Sequence, residues 1–334
     1  MTFATKKKLT QNKKQIVAIQ ADDYSSLNPL RDTTLLIAYN LAKLGFEIFW
    51  YRQKDLILED EQIYADGQIV LLESNDSGFN CKPIENNKRL NLAEVFLVLI
   101  RNDPPVDMAY ITATMLLEKI ANQTLILNDP TSLRNHCEKI LPLTLCPKNC
   151  PETLITANVK SIVDFSKKHQ GIVLKPLFAC GGSGVFHTDK VLSYQEVIKY
   201  LKNQNHNPII AQKYLAEVTN GDKRIFVFNG EILGSIKRKP KTGGFLSNLC
   251  QGATALRIGI TENEAKIAED VAKKLQQLKI IFAAIDMIDG YVIEINTTSP
   301  TGLQEYSRLY DIDIGRYLAQ SMVEITHKFY GIND

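Results

Sequence analysis

Residues 15–51 read QIVAIQADDYSSLNPLRDTTLLIAYNLAKLGFEIFWY, and this stretch decides the fold class. Gln15–Gln20 is a β-branched run of strand character. After a loop containing Asn28-Pro29, Asp32–Leu44 places Leu35, Leu36, Tyr39 and Ala42 near helical spacing, with Asp32 as the N-cap. Gly45 supplies the stop, and Glu47–Tyr51 reads as a second strand. Strand, helix, strand in that order is the pattern of a parallel unit.

The pattern continues downstream. Val95–Ile100 (VFLVLI) suits a strand buried on both faces, Met108–Ala121 is predicted helical, and Thr124–Asn128 is a further strand stopped by Asp129-Pro130. Between these, Asp55–Glu73 predicts a hairpin around Asp66-Gly67, and Asn75–Leu90 a long surface connection. Residues 15–130 therefore form an α/β domain with an open parallel sheet, where ligands collect beyond the carboxyl ends of strands. Residues 1–14, with Lys6, Lys7, Lys8, Lys13 and Lys14, read as a flexible basic tail.

A Pro/Cys-rich connector, Cys146–Pro151, marks a change of composition. Beyond it come a strand at Gly171–Pro176, a helix at Ser193–Asn203 and a strand at Ile209–Gln212. Ile225–Phe228 and Glu231–Lys237 flank Asn229-Gly230, the strongest hairpin signal in the chain. An amphipathic helix at Glu262–Leu278, a hairpin of Ile281–Met287 with Tyr291–Ile295, and a helix at Ile312–His327 complete the order.

Composition narrows the function classes. At 334 residues the length suits about two domains. Balanced charge, 39 basic against 37 acidic residues, supplies no strongly basic face for nucleic acid or an anionic membrane. Apolar runs are too short to span a bilayer, no signal-peptide core follows Met1, and six irregularly spaced cysteines do not form a disulfide framework. These features predict a protein of a reducing compartment, the cytoplasm. Cys146 and Cys150 lack the paired spacing of a zinc ribbon.

Three constellations could carry chemistry. Leu174-Lys175-Pro176 precedes Cys180-Gly181-Gly182-Ser183-Gly184, small residues that let backbone N–H groups approach a polyphosphate beside a lysine. Its spacing is neither a Walker loop nor a dinucleotide fingerprint. In IDMIDGYVIEIN (285–296), Glu294 and Asn296 share one strand face, with Asp286 on the partner strand. Three hard oxygen donors among apolar neighbours suit Mg²⁺ beside nucleotide phosphates. Asp286 and Glu294 are an even number apart, so a two-residue turn alone would put them on opposite faces; a longer loop or a bulge is required. Finally, Gly221-Asp222-Lys223-Arg224 opens a strand and Arg238 ends its partner, so two guanidinium groups could hold a carboxylate and a transferring phosphoryl group.

Taken in order, RNDPPVD (101–107), NDPTSLRNHCEK (128–139), Leu174–Gly184, AQKYL (211–215), GDKR (221–224) and Ile285–Thr301 resemble the bacterial glutathione synthetase family of ATP-grasp ligases. The likeness runs from about Ile16 to the C-terminal helix. It implies an N-terminal domain at 15–130 and an α+β ATP-grasp domain of two lobes at 131–334, with a small lid lobe at about 150–212. It further implies that Lys139 and Lys175 contact ATP phosphates under the loop Gly181, Gly182, Ser183 and Gly184. Gln212, Lys213, Tyr214 and Leu215 would read adenine, with Asp222 and Ile285 also at the nucleotide. Asp286, Glu294 and Asn296 match the metal ligands, for Mg²⁺ with Mn²⁺ as the alternative. Arg224 and Arg238 match arginines at the reacting groups; Arg238, Asn248, Ser299, Pro300 and Thr301 match substrate contacts.

The implied reaction joins γ-glutamylcysteine and glycine at the expense of ATP, through an acyl phosphate, in a homo-oligomer. One departure stands out. In the lid segment 242–254 both family arginine positions are lost, to Leu246 and Thr254, while Phe178 and Cys180 replace the usual Asp and Met of the glycine loop. An ATP-grasp ligase for another dipeptide or amino acid is therefore the alternative, and a non-catalytic nucleotide-binding regulator a second.

Overall fold

The computed structural model describes residues 15–84, 87–169 and 171–332; the expected basic tail lies outside them. The chain divides into two compact units. One takes in the described residues of Met1–Asn135, Gln276–Ala283 and Thr297–Asp334; the other comprises His136–Leu275 and Ala284–Asn296.

In the first unit, four parallel strands lie in the order Glu47–Tyr51, Ile16–Gln20, Leu97–Ile100, Leu125–Leu127. Apart from Glu47 and Gln20 their runs are apolar, because both faces are covered: Val17, Ala18 and Ile19 are all fully buried. The helix Thr33–Lys43 starts where expected, with the Leu35 N–H donating to Asp32 Oδ1 at 3.0 Å. Its end falls at Leu44 and Gly45, the latter at φ 92°.

Two expectations fail in the neighbouring segment. Gln62–Asn75 runs as one strand straight through Asp66-Gly67, and the turn lies earlier, at Asp60-Glu61, both with positive φ. Gly67 marks a close approach instead of a turn: a Cβ there would lie 2.4 Å from the Trp50 carbonyl oxygen. The expected surface connection at 75–90 contains two antiparallel strands, Gly78–Pro83 and Lys88–Asn91, paired with Gln62–Asn75. Their polar side chains face water on an antiparallel extension of the sheet, so no apolar run announces them.

The C-terminal stretch also departs from the expected domain at 131–334. The helix Ile314–Tyr330 buries Ile314, Leu318 and Met322 within the first unit. There the Tyr330 hydroxyl donates to the Phe96 carbonyl at 3.1 Å. Asn128 closes the same unit from within. Its amide donates to the carbonyls of Phe282 and Thr297, both at 2.7 Å, and its oxygen accepts the N–H groups of Ile281 and Phe282.

The second unit holds two sheets. The smaller runs Phe186–Thr188, Ile172–Pro176, Ile209–Lys213, Thr153–Thr156, and packs on the helices Val159–Lys168 and Tyr194–Asn203 through Ile162, Val197 and Leu201. Ser193 and Glu196 form a capping box at the start of the second helix. The larger sheet runs Thr254–Arg257, Glu231–Lys239, Asp222–Phe228, Phe282–Ile288, Tyr291–Asn296. Asn229-Gly230 makes the expected hairpin turn.

Candidate active site

The Asp286–Asn296 hairpin shows how the sequence solves its parity problem. Asp289-Gly290 is a two-residue turn, and the register shifts between Asp286 and Met287, so that Met287 pairs with Val292 but Asp286 pairs with Glu294. The extra residue is Ile293. This bulge turns both Ile293 and Glu294 toward one cavity, while Val292 and Ile295 stay fully buried in the core. Asp286 and Glu294 thus share a face, with Asn296 beside them and its Nδ2 donating to Asp286 Oδ2 at 3.0 Å.

Four charged side chains interlock behind this hairpin. Arg224 donates from Nε and Nη2 to the two carboxylate oxygens of Asp286, both at 2.8 Å. Arg238 does the same to Asp222 at 2.8 and 2.5 Å, and its Nη2 also reaches Asp286 Oδ2 at 2.8 Å. Asp222 and Arg238 are direct register partners, and Gly221 lets their strands meet: a Cβ there would lie 2.5 Å from the Arg238 carbonyl oxygen. Burial pushes the Asp286 carboxyl up, yet the guanidinium groups of Arg224 and Arg238 outweigh it and hold the group at about 2. For Asp222 burial wins over Arg238 and the carboxyl is raised. For Arg238, burial is outweighed by the two carboxylates, which raise its pKa.

The smaller sheet supplies one cation, Lys175, and the turn before Leu141 another, Lys139. Lys175 ends the strand Ile172–Pro176 and donates to Gln212 Oε1 at 2.9 Å; Gln212 Nε2 in turn donates to Thr153 Oγ1 at 3.0 Å. Burial lowers the Lys175 pKa, against the pull of Glu294. Lys139 pairs with Glu294 at 3.1 Å and donates to the Ala179 carbonyl at 2.5 Å, holding the start of the glycine-rich turn. Although burial opposes its charge, Glu294 and Glu138 raise its pKa.

These groups face one cavity inside the second unit. Lys139, Lys175, Gly181–Ser183, Gln212–Leu215, Asp222, Arg238, Asn248, Asp286, Glu294 and Asn296 line it. Gly184 and the fully buried Ile285 do not line it, and Arg224 acts from behind through Asp286. Ser299, Pro300 and Thr301 belong to the first unit, where Arg101 donates to the Pro300 carbonyl at 3.2 Å and to Thr34 Oγ1 at 3.1 Å. The sequence reading singled out Leu246 in the lid segment but missed its neighbours Phe245 and Ser247 as cavity-lining residues, and the stacking of His187 on Tyr214 at 3.7 Å between ring centroids. An aromatic residue in a polar loop carries no local pattern by which either could be found.

The donor set fits a divalent cation. Two carboxylates and an amide oxygen, all hard ligands, converge on one cavity wall that faces lysines able to take phosphates. Among the described residues no three His, Cys, Asp or Glu side chains gather into a cage of their own. A site with two carboxylates therefore suits a metal whose remaining ligands come from a nucleotide.

Comparison with known proteins places the chain in a class. Its fold matches solved synthetases: D-cycloserine synthetase DcsG, at TM-score 0.66 and 14% identity over 93% of this chain and 99% of that one, and D-alanyl-alanine synthetase A from Vibrio cholerae, at TM-score 0.63 and 12% identity over 96% and 99%. The class, an ATP-dependent ligase of the ATP-grasp fold, rests on the family and homologue matches. Residues 16–134 match the family model of the prokaryotic glutathione synthetase N-terminal domain, and residues 138–311 that of its ATP-grasp domain. Glutathione synthetases of Brucella melitensis (37% identical, 87% of this chain and 93% of that protein) and Agrobacterium fabrum (36%, 90% and 94%) are similar along nearly their whole length. The chain belongs to the prokaryotic glutathione synthetase family, and with that family go ATP, a divalent metal and small-molecule substrates. Among the described residues no helix is long and apolar enough to cross a membrane.

Proposed function

We propose that this enzyme joins γ-glutamylcysteine to glycine, giving glutathione, ADP and phosphate. The observation that carries the reading is the single cavity in which Asp286, Glu294 and Asn296 face Lys139 and Lys175 beneath the turn Gly181–Ser183. The peptide carboxylate would attack the γ-phosphate of ATP, and the amine of glycine would then displace phosphate from the acyl phosphate. Lys139 and Lys175 would hold the phosphates, and Gln212–Leu215 would read the adenine along an exposed strand end. Arg238 would carry the developing charge, positioned by Asp222, while Arg224 fixes the Asp286 carboxylate.

A divalent cation on Asp286, Glu294 and Asn296 supplies charge neutralisation at the phosphates; Mg²⁺ is the metal in this reading and Mn²⁺ the alternative. No side-chain nucleophile is required. Asn248, Ser299, Pro300 and Thr301 are the proposed substrate contacts. The resemblance supports a homo-oligomer working on small molecules in the cytoplasm.

A second reading, ligation of a different acid, is favoured by Phe245 and Leu246 in the cavity wall. An ADP-release assay with γ-glutamylcysteine plus glycine, beside a panel of other acids and amines, separates the two. Turnover with the expected pair supports the first; turnover only with another pair replaces it by the second.

A further inference from the structure

Cys180 and Cys250 sit on the two loops that cover the nucleotide cavity, and both are exposed. Cys180 opens the glycine-rich turn and itself lines the cavity; Cys250 lies within the lid segment 242–254. The loops touch here. Cys250 Sγ lies 3.9 Å from the Gly181 carbonyl oxygen, and Gln251 Nε2 donates to the same oxygen at 3.2 Å. A Cβ built on Gly181, the residue next to Cys180, would come within 3.3 Å of the Cys250 sulfur. Consecutive Cα atoms are about 3.8 Å apart, so the backbone of Cys180 lies one residue step from the position that meets the Cys250 sulfur. Gly181 and Gly182 both hold positive φ, and such glycines give the turn the backbone freedom to make that step without side-chain strain.

We propose that Cys180 and Cys250 form a reversible thiol-modification site, oxidised to a disulfide that fastens the glycine-rich turn to the lid and blocks nucleotide exchange. The oxidant is a small disulfide of the cysteinyl-peptide class, the oxidised form of the thiols this enzyme handles. One cysteine thiolate attacks the small disulfide and expels one small thiolate, which takes up a proton. The second cysteine, deprotonated, then attacks the resulting mixed disulfide at the protein sulfur and expels the other. One small disulfide is reduced to two thiols, and two electrons leave the protein pair. The device rests on the reading of this cavity as the ATP site.

The test uses the full chain equilibrated in mixtures of glutathione and glutathione disulfide, read by non-reducing peptide mapping and by ADP release. A Cys180–Cys250 linked peptide is expected to accumulate as the disulfide fraction rises. Turnover should fall about tenfold or more in step and return on adding dithiothreitol. Cys250→Ser should keep its turnover in the same oxidising mixture. The proposal is overturned if the map shows no such linkage, including the case in which only Cys146 and Cys150, whose Sγ donates to the Cys146 carbonyl at 3.3 Å, become joined. It is equally overturned if Cys250→Ser loses as much turnover in the oxidising mixture as the parent does. Absence of turnover in the fully reduced protein would refute the functional reading instead, while the peptide map still decides whether the linkage forms.

Discussion

Arg224 grips Asp286 through two parallel hydrogen bonds, Nε to Oδ1 and Nη2 to Oδ2, each 2.8 Å long and both side chains buried. Arg238 adds a third bond to the same carboxylate, so one metal-ligand candidate is held by two cations from a neighbouring hairpin. The carboxylate is thereby kept ionised and aimed before any metal or nucleotide arrives.

Asp286→Ala removes the anion that both arginines face. Breaking such a buried pair costs about 3–5 kcal/mol, so urea unfolding should shift by that amount. ATP turnover should fall on the order of 100-fold or more, since the reacting phosphates lose a ligand-bearing wall. Near-normal turnover in the folded variant would remove Asp286 from the site.

Lys175 gives a pH test. Its pKa is lowered chiefly by burial, so the amine loses its charge at a lower pH than an ordinary lysine. ATP affinity should therefore decline as pH rises, starting below about pH 10.4, the usual lysine value. Lys175→Met should bind ATP roughly 10–100-fold more weakly and lack that alkaline decline, because a charge-assisted hydrogen bond contributes about 1.5–3 kcal/mol. Calorimetric titration across the alkaline range checks both.

The partner of Lys223 bears on stability alone. Glu264 accepts from the Lys223 ammonium and from the Thr261 N–H and hydroxyl, the latter at 2.8 and 2.9 Å. Burial opposes its charge, but Lys223 and Thr261 outweigh that and depress the pKa. A depressed carboxylate stabilises the fold above its unfolded pKa, and that stability is lost as pH falls through the folded value. Thermal melts should show stability dropping in acid below about pH 4.5. Glu264→Gln should melt lower at neutral pH, by about 2 kcal/mol in stability, and show less of the acid loss.

Chelation tests the donor set. EDTA should abolish ATP turnover, and added Mg²⁺ or Mn²⁺ should restore it. Full activity in chelator would show that the two carboxylates and the amide do not serve a metal.

Much of this was legible before any coordinates. The all-apolar run Val95–Ile100, the Asp32 cap and the Asn229-Gly230 turn each carry a local signal strong enough to stand alone. The parity of Asp286 and Glu294 called for either a longer loop or a bulge, and Ile293 provides the bulge. What stayed hidden depends on partners distant in sequence. Asp66-Gly67 looks like a turn because only the Trp50 carbonyl explains the glycine, and that carbonyl comes from another strand. The pairing of Lys139 with Glu294 joins residues 155 positions apart, and no spacing rule connects them. Likewise the helix Ile314–Tyr330 reads correctly as a helix, but its place in the first unit is decided by Phe96 and the other residues it covers there.

The central claim is that Asp286, Glu294 and Asn296 hold the metal of an ATP site. A crystal structure with Mn²⁺ and a non-hydrolysable ATP analogue, read by manganese anomalous scattering, tests it directly. The account predicts an anomalous peak within about 2.0–2.6 Å of oxygens from these three side chains, beside phosphates held by Lys139 and Lys175. A peak elsewhere, or a nucleotide lodged outside this cavity, would contradict it.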